Sequence, residues 1–169
     1  MKILGFIAAA LWANAATAAI PKAYRAVAAE MAVPADVLYA VALQESRAAL
    51  GRGVKEPWPW TLNVRGVGYR FGSRRAVYLA LNTLLKSGET RVDIGLMQVH
   101  WRYHAPKLGN SWAALNIYQN LRVGASILRA CYRQTGNWTA ATGCYHSNTP
   151  WRAAAYSASV TAILADVRP

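Results

Sequence analysis

The chain has 169 residues, of which 54% are hydrophobic and 15% are charged, and its 19 Lys and Arg outnumber its 7 Asp and Glu to give a net charge of +12. This length suits one domain, and the composition excludes intrinsic disorder and collagen-like or heptad-repeat chains. The excess of positive charge favours an anionic partner.

The first 19 residues predict an export signal. Lys2 is followed by an apolar run from Ile3 to Ala13 and then by small residues up to Ala19, the order typical of a secretory signal peptide. The run is shorter than the about 20 apolar residues that span a bilayer. We therefore expect residues 1–19 to be removed and residues 20–169 to form one domain in the periplasm, with no membrane span left.

The remaining chain predicts a mainly α domain. Apolar residues recur at helical spacing, Ser73, Asn137 and Thr149 are placed to cap helices, and Pro150 suits a first helical position. Aromatic and β-branched residues flank the turn at Arg65-Gly66-Val67-Gly68, which predicts a small β-hairpin inserted between the second and third helices. The predicted helices lie at residues 20–32, about 34–49, 73–88, from 121 to a stop at Gly136-Asn137, 137–146 and 150 to about 166.

The only two cysteines, Cys131 and Cys144, are a candidate disulfide, because an exported protein folds in an oxidising compartment. Two buried free thiols are the alternative. The spacing of the pair, with no further Cys, is not that of a zinc site.

Glu45 is the most unusual of the seven carboxylates. Leu38, Val41, Glu45 and Ala48 are spaced 3, 4 and 3 apart, which places the carboxylate on the apolar stripe of the second predicted helix. Partial burial raises the pKa of a carboxyl group, and a general acid needs such a pKa to hold its proton near neutral pH. The alternative is a Glu at the edge of the stripe whose carboxylate reaches water.

The sequence around Glu45 resembles that of lytic transglycosylases of the soluble lytic transglycosylase type, which have a lysozyme-like fold. The resemblance covers residues 21 to 147 and lies in motifs that follow the family's order: Ala42-Leu43-Gln44-Glu45-Ser46, Gly95-Leu96-Met97-Gln98, Asn120-Leu121-x-x-Gly124-Ala125, Ala140-Ala141 and Tyr145. The segment Trp58-x-Trp60-Thr61-Leu62-Asn63-Val64 is similar to that of small members associated with secretion systems and conjugative elements. One departure is Tyr145-His146-Ser147-Asn148, where the family has Tyr-Asn-x-Gly.

The resemblance implies a lyase that cleaves peptidoglycan between N-acetylmuramic acid and N-acetylglucosamine without a cofactor. Glu45 would protonate the glycosidic oxygen and then accept the proton of the muramoyl 6-hydroxyl, which closes on the anomeric carbon to give a 1,6-anhydro end. Local opening of the cell wall for a secretion or conjugation apparatus would follow.

The resemblance also implies substrate-binding residues. Ser46, Met97, Gln98 and Asn120 would line the saccharide groove, Gly95 would let the backbone approach the sugar, and Tyr145 would hydrogen-bond near Glu45. Packing in the core is the alternative for Met97. Trp58 and Trp60 flank a Pro in the predicted hairpin, so they are candidates for stacking on sugar rings.

Other interpretations stay open. Asp93 is either a second catalytic carboxylate, which with Glu45 would make a hydrolytic muramidase, or the cap of a turn. A muramidase could also use water positioned by the protein, and a cell-wall-binding or secretion-assembly module would need no turnover.

Metal and nucleic-acid binding are not expected. His100 and His104 have the i, i+4 spacing of a metal pair, with His146 as a third candidate, but the Glu of the His-Glu-x-x-His motif is missing. The Arg and Lys residues are scattered rather than clustered, and the signal peptide directs the chain away from nucleic acid.

Overall fold

The computed structural model describes residues 19–49 and 55–168, so the predicted signal peptide lies outside the described residues except for Ala19. In this part of the chain the fold is mainly α with a small β region, as predicted. The helices are α1 Lys22–Met31, α2 Ala35–Ser46, α3 Arg74–Lys86, α4 Trp101–Leu108, α5 Ser111–Ala114, α6 Ile117–Thr135, α7 Trp138–His146 and α8 Pro150–Val167. The strands are β1 Arg47–Ala49, β2 Lys55–Pro57, β3 Thr61–Val64, β4 Val67–Arg70, β5 Val92–Ile94 and β6 Val99–His100.

Helix α2 is the central element of the core. Every residue from Val37 to Leu43 is buried, and the helix packs against α1 and α8. An apolar helix that is buried on all sides has no single apolar stripe, so the predicted stripe is wrong as a description of this helix.

The predicted continuation of this helix to Ala49 is also wrong, because α2 ends at Ser46. The Ser46 hydroxyl donates hydrogen bonds to the carbonyls of Ala42 and Leu96, and the chain then leaves in an extended conformation as β1, which pairs with β2. Glu45 therefore lies in the last turn of α2, and Ala48 lies in a strand.

The predicted hairpin is formed by β3 and β4, which pair antiparallel. Arg65 and Gly66 at its turn both have positive φ values, 51° and 90°, as two-residue hairpin turns with right-handed strand twist require. Strands β5 and β6 extend the hairpin to a four-stranded sheet of order β4-β3-β5-β6. The sheet places Asp93 between Asn63 on one neighbouring strand and His100 on the other.

Two of the three predicted caps are confirmed, whereas Thr149 precedes α8 but its side chain makes no capping hydrogen bond. Ser73 accepts a hydrogen bond from the Ala76 amide at the start of α3, and Asn137 accepts one from the Ala140 amide at the start of α7. Helix α6 ends at Gly136 in the left-handed conformation. These caps set the short connection that folds α7 back onto α6.

The predicted disulfide between Cys131 and Cys144 is formed, and it joins α6 to α7. Within residues 19–49 and 55–168 no single helix has the length and apolar character to cross a membrane; α1 and α2 meet that condition only as a pair, bent by 118°.

Candidate active site

Glu45 lies where two cavities meet. The larger cavity, about 600 Å³, lies between α2, the sheet, α4 and α7, and its lining includes Asp93, Gln98 and Tyr145. The smaller cavity, about 470 Å³, lies between the end of α2 and the start of α8. Glu45 and His146 line both cavities, which together we call the cleft. A groove that continues on both sides of one carboxyl group suits an extended ligand rather than a small molecule enclosed in a pocket.

The Glu45 carboxyl group is held in a partly buried position by one strong hydrogen bond. The Tyr156 hydroxyl donates to its Oε1 atom at 2.6 Å. Burial raises the pKa of Glu45 from its ordinary value of 4.5 to about 7, the hydrogen bond from Tyr156 lowers it, and the negative charge of Asp93 raises it. A large fraction of Glu45 therefore carries a proton at neutral pH, the state that a general acid needs.

Tyr156 is the residue in contact with Glu45 that the sequence reasoning missed. It lies on α8, 111 residues after Glu45, and its ring stacks on the His146 ring with centroids 4.4 Å apart and an interplanar angle of 8°. Tyr156, Val160 and Leu164 form the buried face of α8. The spacing of four residues could have indicated that Tyr156 is buried. A tyrosine buried on an apolar helix face needs a hydrogen-bond partner for its hydroxyl.

The turn Gly95–Gln98 lies at the edge of the cleft and is fixed by hydrogen bonds to the Asn120 side chain. The buried Asn120 amide accepts a hydrogen bond from the Met97 backbone N–H and donates to the carbonyl of Ile94. Gly95 has φ +73°, and a Cβ atom there would lie 2.9 Å from the Asn120 side chain. In this structure both residues shape the turn that borders the cleft.

Met97 and Tyr145 connect that turn to α6 and α7. Met97 is fully buried and packs against Gly124, where an added Cβ would lie 2.6 Å from its Cγ atom. The Tyr145 hydroxyl donates to the Met97 carbonyl at 2.6 Å, and the hydroxyl that reaches Glu45 is that of Tyr156. Tyr145 nevertheless lines the cleft, and burial, with the nearby charge of Glu45, raises its pKa well above the ordinary value.

The remaining candidates divide between the cleft and the protein interior. Gln98 lines the larger cavity, and its side-chain amide donates to the Gly95 carbonyl. Ser46 is buried with its hydroxyl bonded inside the protein. Trp58 and Trp60 are half-buried and in edge contact, the Trp58 indole donates to the Phe71 carbonyl, and neither ring lines the cleft.

Asp93 lies in the middle of β5 and lines the larger cavity together with Glu45. No turn begins at it, so its interpretation as a turn cap is wrong. Burial raises the pKa of Asp93, and the positive charges of His100 and His146 oppose this rise. The cleft therefore contains two carboxyl groups, and the negative charge of each raises the free energy of ionising the other.

The three histidines that the sequence singled out all line the larger cavity. His100 caps α4 by accepting the Arg102 N–H, and burial lowers the pKa of His104. In residues 19–49 and 55–168 no three His, Cys, Asp or Glu side chains are arranged to hold a metal ion.

The similarity to lytic transglycosylases rests on the short sequence motifs. No protein-family model, no curated protein and no solved structure matches the chain.

Proposed function

We propose that this protein is a periplasmic peptidoglycan lytic transglycosylase with Glu45 as its acid and base. The observation that carries the proposal is a carboxyl group with a pKa of about 7 at the junction of two cavities. Such a group has a proton to donate near neutral pH, and the cavities extend on both sides of it, as a polymeric substrate requires.

The reaction uses the same carboxyl group twice. Glu45 donates its proton to the oxygen between N-acetylmuramic acid and N-acetylglucosamine, the bond to the muramoyl anomeric carbon breaks, and positive charge develops at that carbon. The ionised Glu45 then accepts the proton of the muramoyl 6-hydroxyl as its oxygen bonds to the anomeric carbon. The attack is intramolecular, so its effective concentration is high and it competes with water. Tyr156 holds one oxygen of Glu45 in place through both steps.

The charge of the chain supports an anionic polymer as substrate. Removal of residues 1–19 takes away Lys2, and the remaining 18 Lys and Arg and 7 Asp and Glu give a net charge of +11. This charge attracts the carboxylates of peptidoglycan stem peptides and raises the rate of encounter at low ionic strength. The similarity of the Trp58–Val64 segment to secretion- and conjugation-associated enzymes supports a role in opening the wall for such an apparatus.

A hydrolytic muramidase is the second candidate, and the position of Asp93 in the same cavity favours it. In that mechanism Asp93 would act as nucleophile or would activate water, and Glu45 would remain the acid. The two reactions differ in their products.

Mass spectrometry of the muropeptides released from purified peptidoglycan distinguishes these functions. A transglycosylase releases 1,6-anhydro ends, each one water lighter than the reducing ends that a muramidase leaves. Glu45→Gln should abolish release, with a loss of about 100-fold or more, whereas Glu56→Gln, which removes an exposed carboxylate on β2 outside the cleft, should not.

Reducing ends that borohydride converts to alditols, together with a loss of several orders of magnitude in Asp93→Asn, would establish the muramidase instead. Retention of more than about a tenth of the turnover in Glu45→Gln would refute Glu45 as the acid in either reaction. Binding to intact sacculi with no released muropeptide would indicate a wall-binding module.

A further inference from the structure

We propose that Arg152 and Trp151 form a carboxylate-binding subsite at one end of the cleft, which recognises the acidic side chain of the muramoyl unit beside the cleaved bond. The inference deepens the proposed function and rests on it. A subsite of this kind would distinguish the muramoyl sugars of a strand, which carry a carboxyl-bearing substituent, from the glucosaminyl sugars, which carry none.

The two side chains lie in the first turn of α8 and line the smaller cavity together with Glu45. The Arg152 guanidinium lies 5.0 Å from the centroid of the Trp151 ring, and Trp151 is 68% exposed. The Trp151 ring is therefore not packed in the core, and its exposed face lies beside the candidate catalytic group.

Arg152 has no acidic partner within 4.0 Å among the described residues, as is true of most described arginines. The four that pair with Glu or Asp are Arg65, Arg91, Arg122 and Arg168. Burial lowers the pKa of His146, which stacks on Tyr156, and the positive charge of Arg152 lowers it further, while the charge of Asp93 opposes both. The field of Arg152 therefore extends to the junction of the two cavities, where the substrate would lie.

The chemistry of the pair matches a sugar that carries an acid. A guanidinium group donates two parallel hydrogen bonds to a carboxylate, and contact with an aromatic ring restricts its orientation before a ligand arrives. The indole ring adds a flat apolar surface suited to the C–H face of a pyranose. Asp93, which is the second carboxyl group of the cleft, lines only the larger cavity, so an anionic substituent in the smaller cavity would avoid it.

The carboxylate can come from two parts of peptidoglycan. In peptide-bearing strands the acids are those of the stem peptide, and in strands stripped by an amidase the lactyl group itself ends in a free carboxylate. The test therefore uses both kinds of strand, each in its native form and after conversion of its carboxylates to amides with a carbodiimide and ammonia.

The experiment compares kcat/KM for the wild type, Arg152→Gln and the matched control Arg75→Gln, which removes an exposed arginine of α3 that lines neither cavity. Arg152→Gln should lose about tenfold on strands with free carboxylates, the range for an exposed charge-assisted hydrogen bond, and should equal the control on amidated strands. A loss on stripped strands assigns the lactyl carboxylate, and a loss confined to peptide-bearing strands assigns the stem peptide. An equal loss on amidated strands, or no loss on any, would overturn the proposal.

Sedimentation with insoluble sacculi separates this inference from the proposed function, because it measures binding without turnover. In one outcome the wild type releases no muropeptides, Arg152→Gln binds native sacculi more weakly than Arg75→Gln, and both variants bind amidated sacculi equally. This outcome supports the carboxylate subsite and refutes the lyase. If muropeptides are released and the two variants match in rate and binding, the subsite fails and the lyase stands. Equal thermal unfolding of both variants shows that the comparison reports on contacts with the strand.

Discussion

Replacement of Glu45 by Gln should stabilise the protein at high pH even though it removes the proposed acid. The folded chain holds the pKa of Glu45 at about 7, while the ordinary value is 4.5. Below pH 4.5 the group is protonated in both the folded and the unfolded chain. Between pH 4.5 and 7 the unfolded chain releases a proton that the folded chain retains, so stability falls as the pH rises.

The magnitude follows from the two pKa values. A tenfold change in an acid constant corresponds to about 1.4 kcal/mol, so the difference between 4.5 and about 7 costs about 3 kcal/mol once the pH exceeds 7. Gln has nearly the same shape as protonated Glu, can still accept the hydrogen bond from Tyr156, and does not ionise. The wild type and the variant should therefore differ little at pH 4 and by about 3 kcal/mol at pH 8, with the variant more stable.

Urea unfolding of both proteins at intervals between pH 4 and pH 8 measures this difference directly. Using the difference between two proteins cancels the titration of the groups that do not interact with Glu45. A difference in unfolding free energy that stays constant across this range would refute the raised pKa, and with it the argument that Glu45 holds a proton for catalysis.

Three further predictions concern the surroundings of Glu45 and the disulfide. Asp93→Asn removes a negative charge that raises the pKa of Glu45, so the loss of activity at alkaline pH should begin at lower pH; an unchanged pH profile would contradict the coupling. Tyr156→Phe removes a hydrogen bond that lowers the pKa of Glu45, so the loss of activity at alkaline pH should begin at higher pH, and kcat should fall because the carboxyl group is less firmly held. A loss that begins at lower pH would contradict this. Replacement of Cys131 and Cys144 by Ser should cost about 3 kcal/mol in urea unfolding, from loop-closure entropy over a separation of 13 residues; equal stability would show that the bridge contributes nothing.

The local features of the fold could be predicted because they depend on neighbouring residues. Ser73 and Asn137 cap helices through atoms three positions away, and the Arg65-Gly66 turn depends on the conformational freedom of its own two residues. The end of α2 could not be predicted from neighbouring residues, because the Ser46 hydroxyl donates a hydrogen bond to the carbonyl of Leu96, 50 residues further along the chain.

The sequence predicted which residues surround the candidate site better than it predicted what each of them does. Gly95 and Asn120 were expected to contact substrate. In the structure Gly95 begins the turn that borders the cleft and packs on the buried Asn120 side chain, which accepts a hydrogen bond from that turn. A short motif indicates that residues belong to one site but does not reveal which of them face a ligand. The spacing of Tyr156, Val160 and Leu164 marks the buried face of α8. It does not reveal which helix that face packs against, and Tyr156 and Arg152 reach the cleft because that helix is α2.

The position of Glu45 explains why its pKa is raised so far. The residue lies in the last turn of a helix that is buried along most of its length, where water is partly excluded. Asp93 adds a further negative charge across the larger cavity, and Tyr156 supplies only one hydrogen bond in compensation. Burial and the charge of Asp93 make the ionised carboxylate less stable, and the hydrogen bond from Tyr156 compensates for this only in part. The folded protein is therefore less stable at high pH because of Glu45. A cost of this kind is expected where a group must hold a proton for chemistry, and its removal by Gln should raise stability and abolish turnover together.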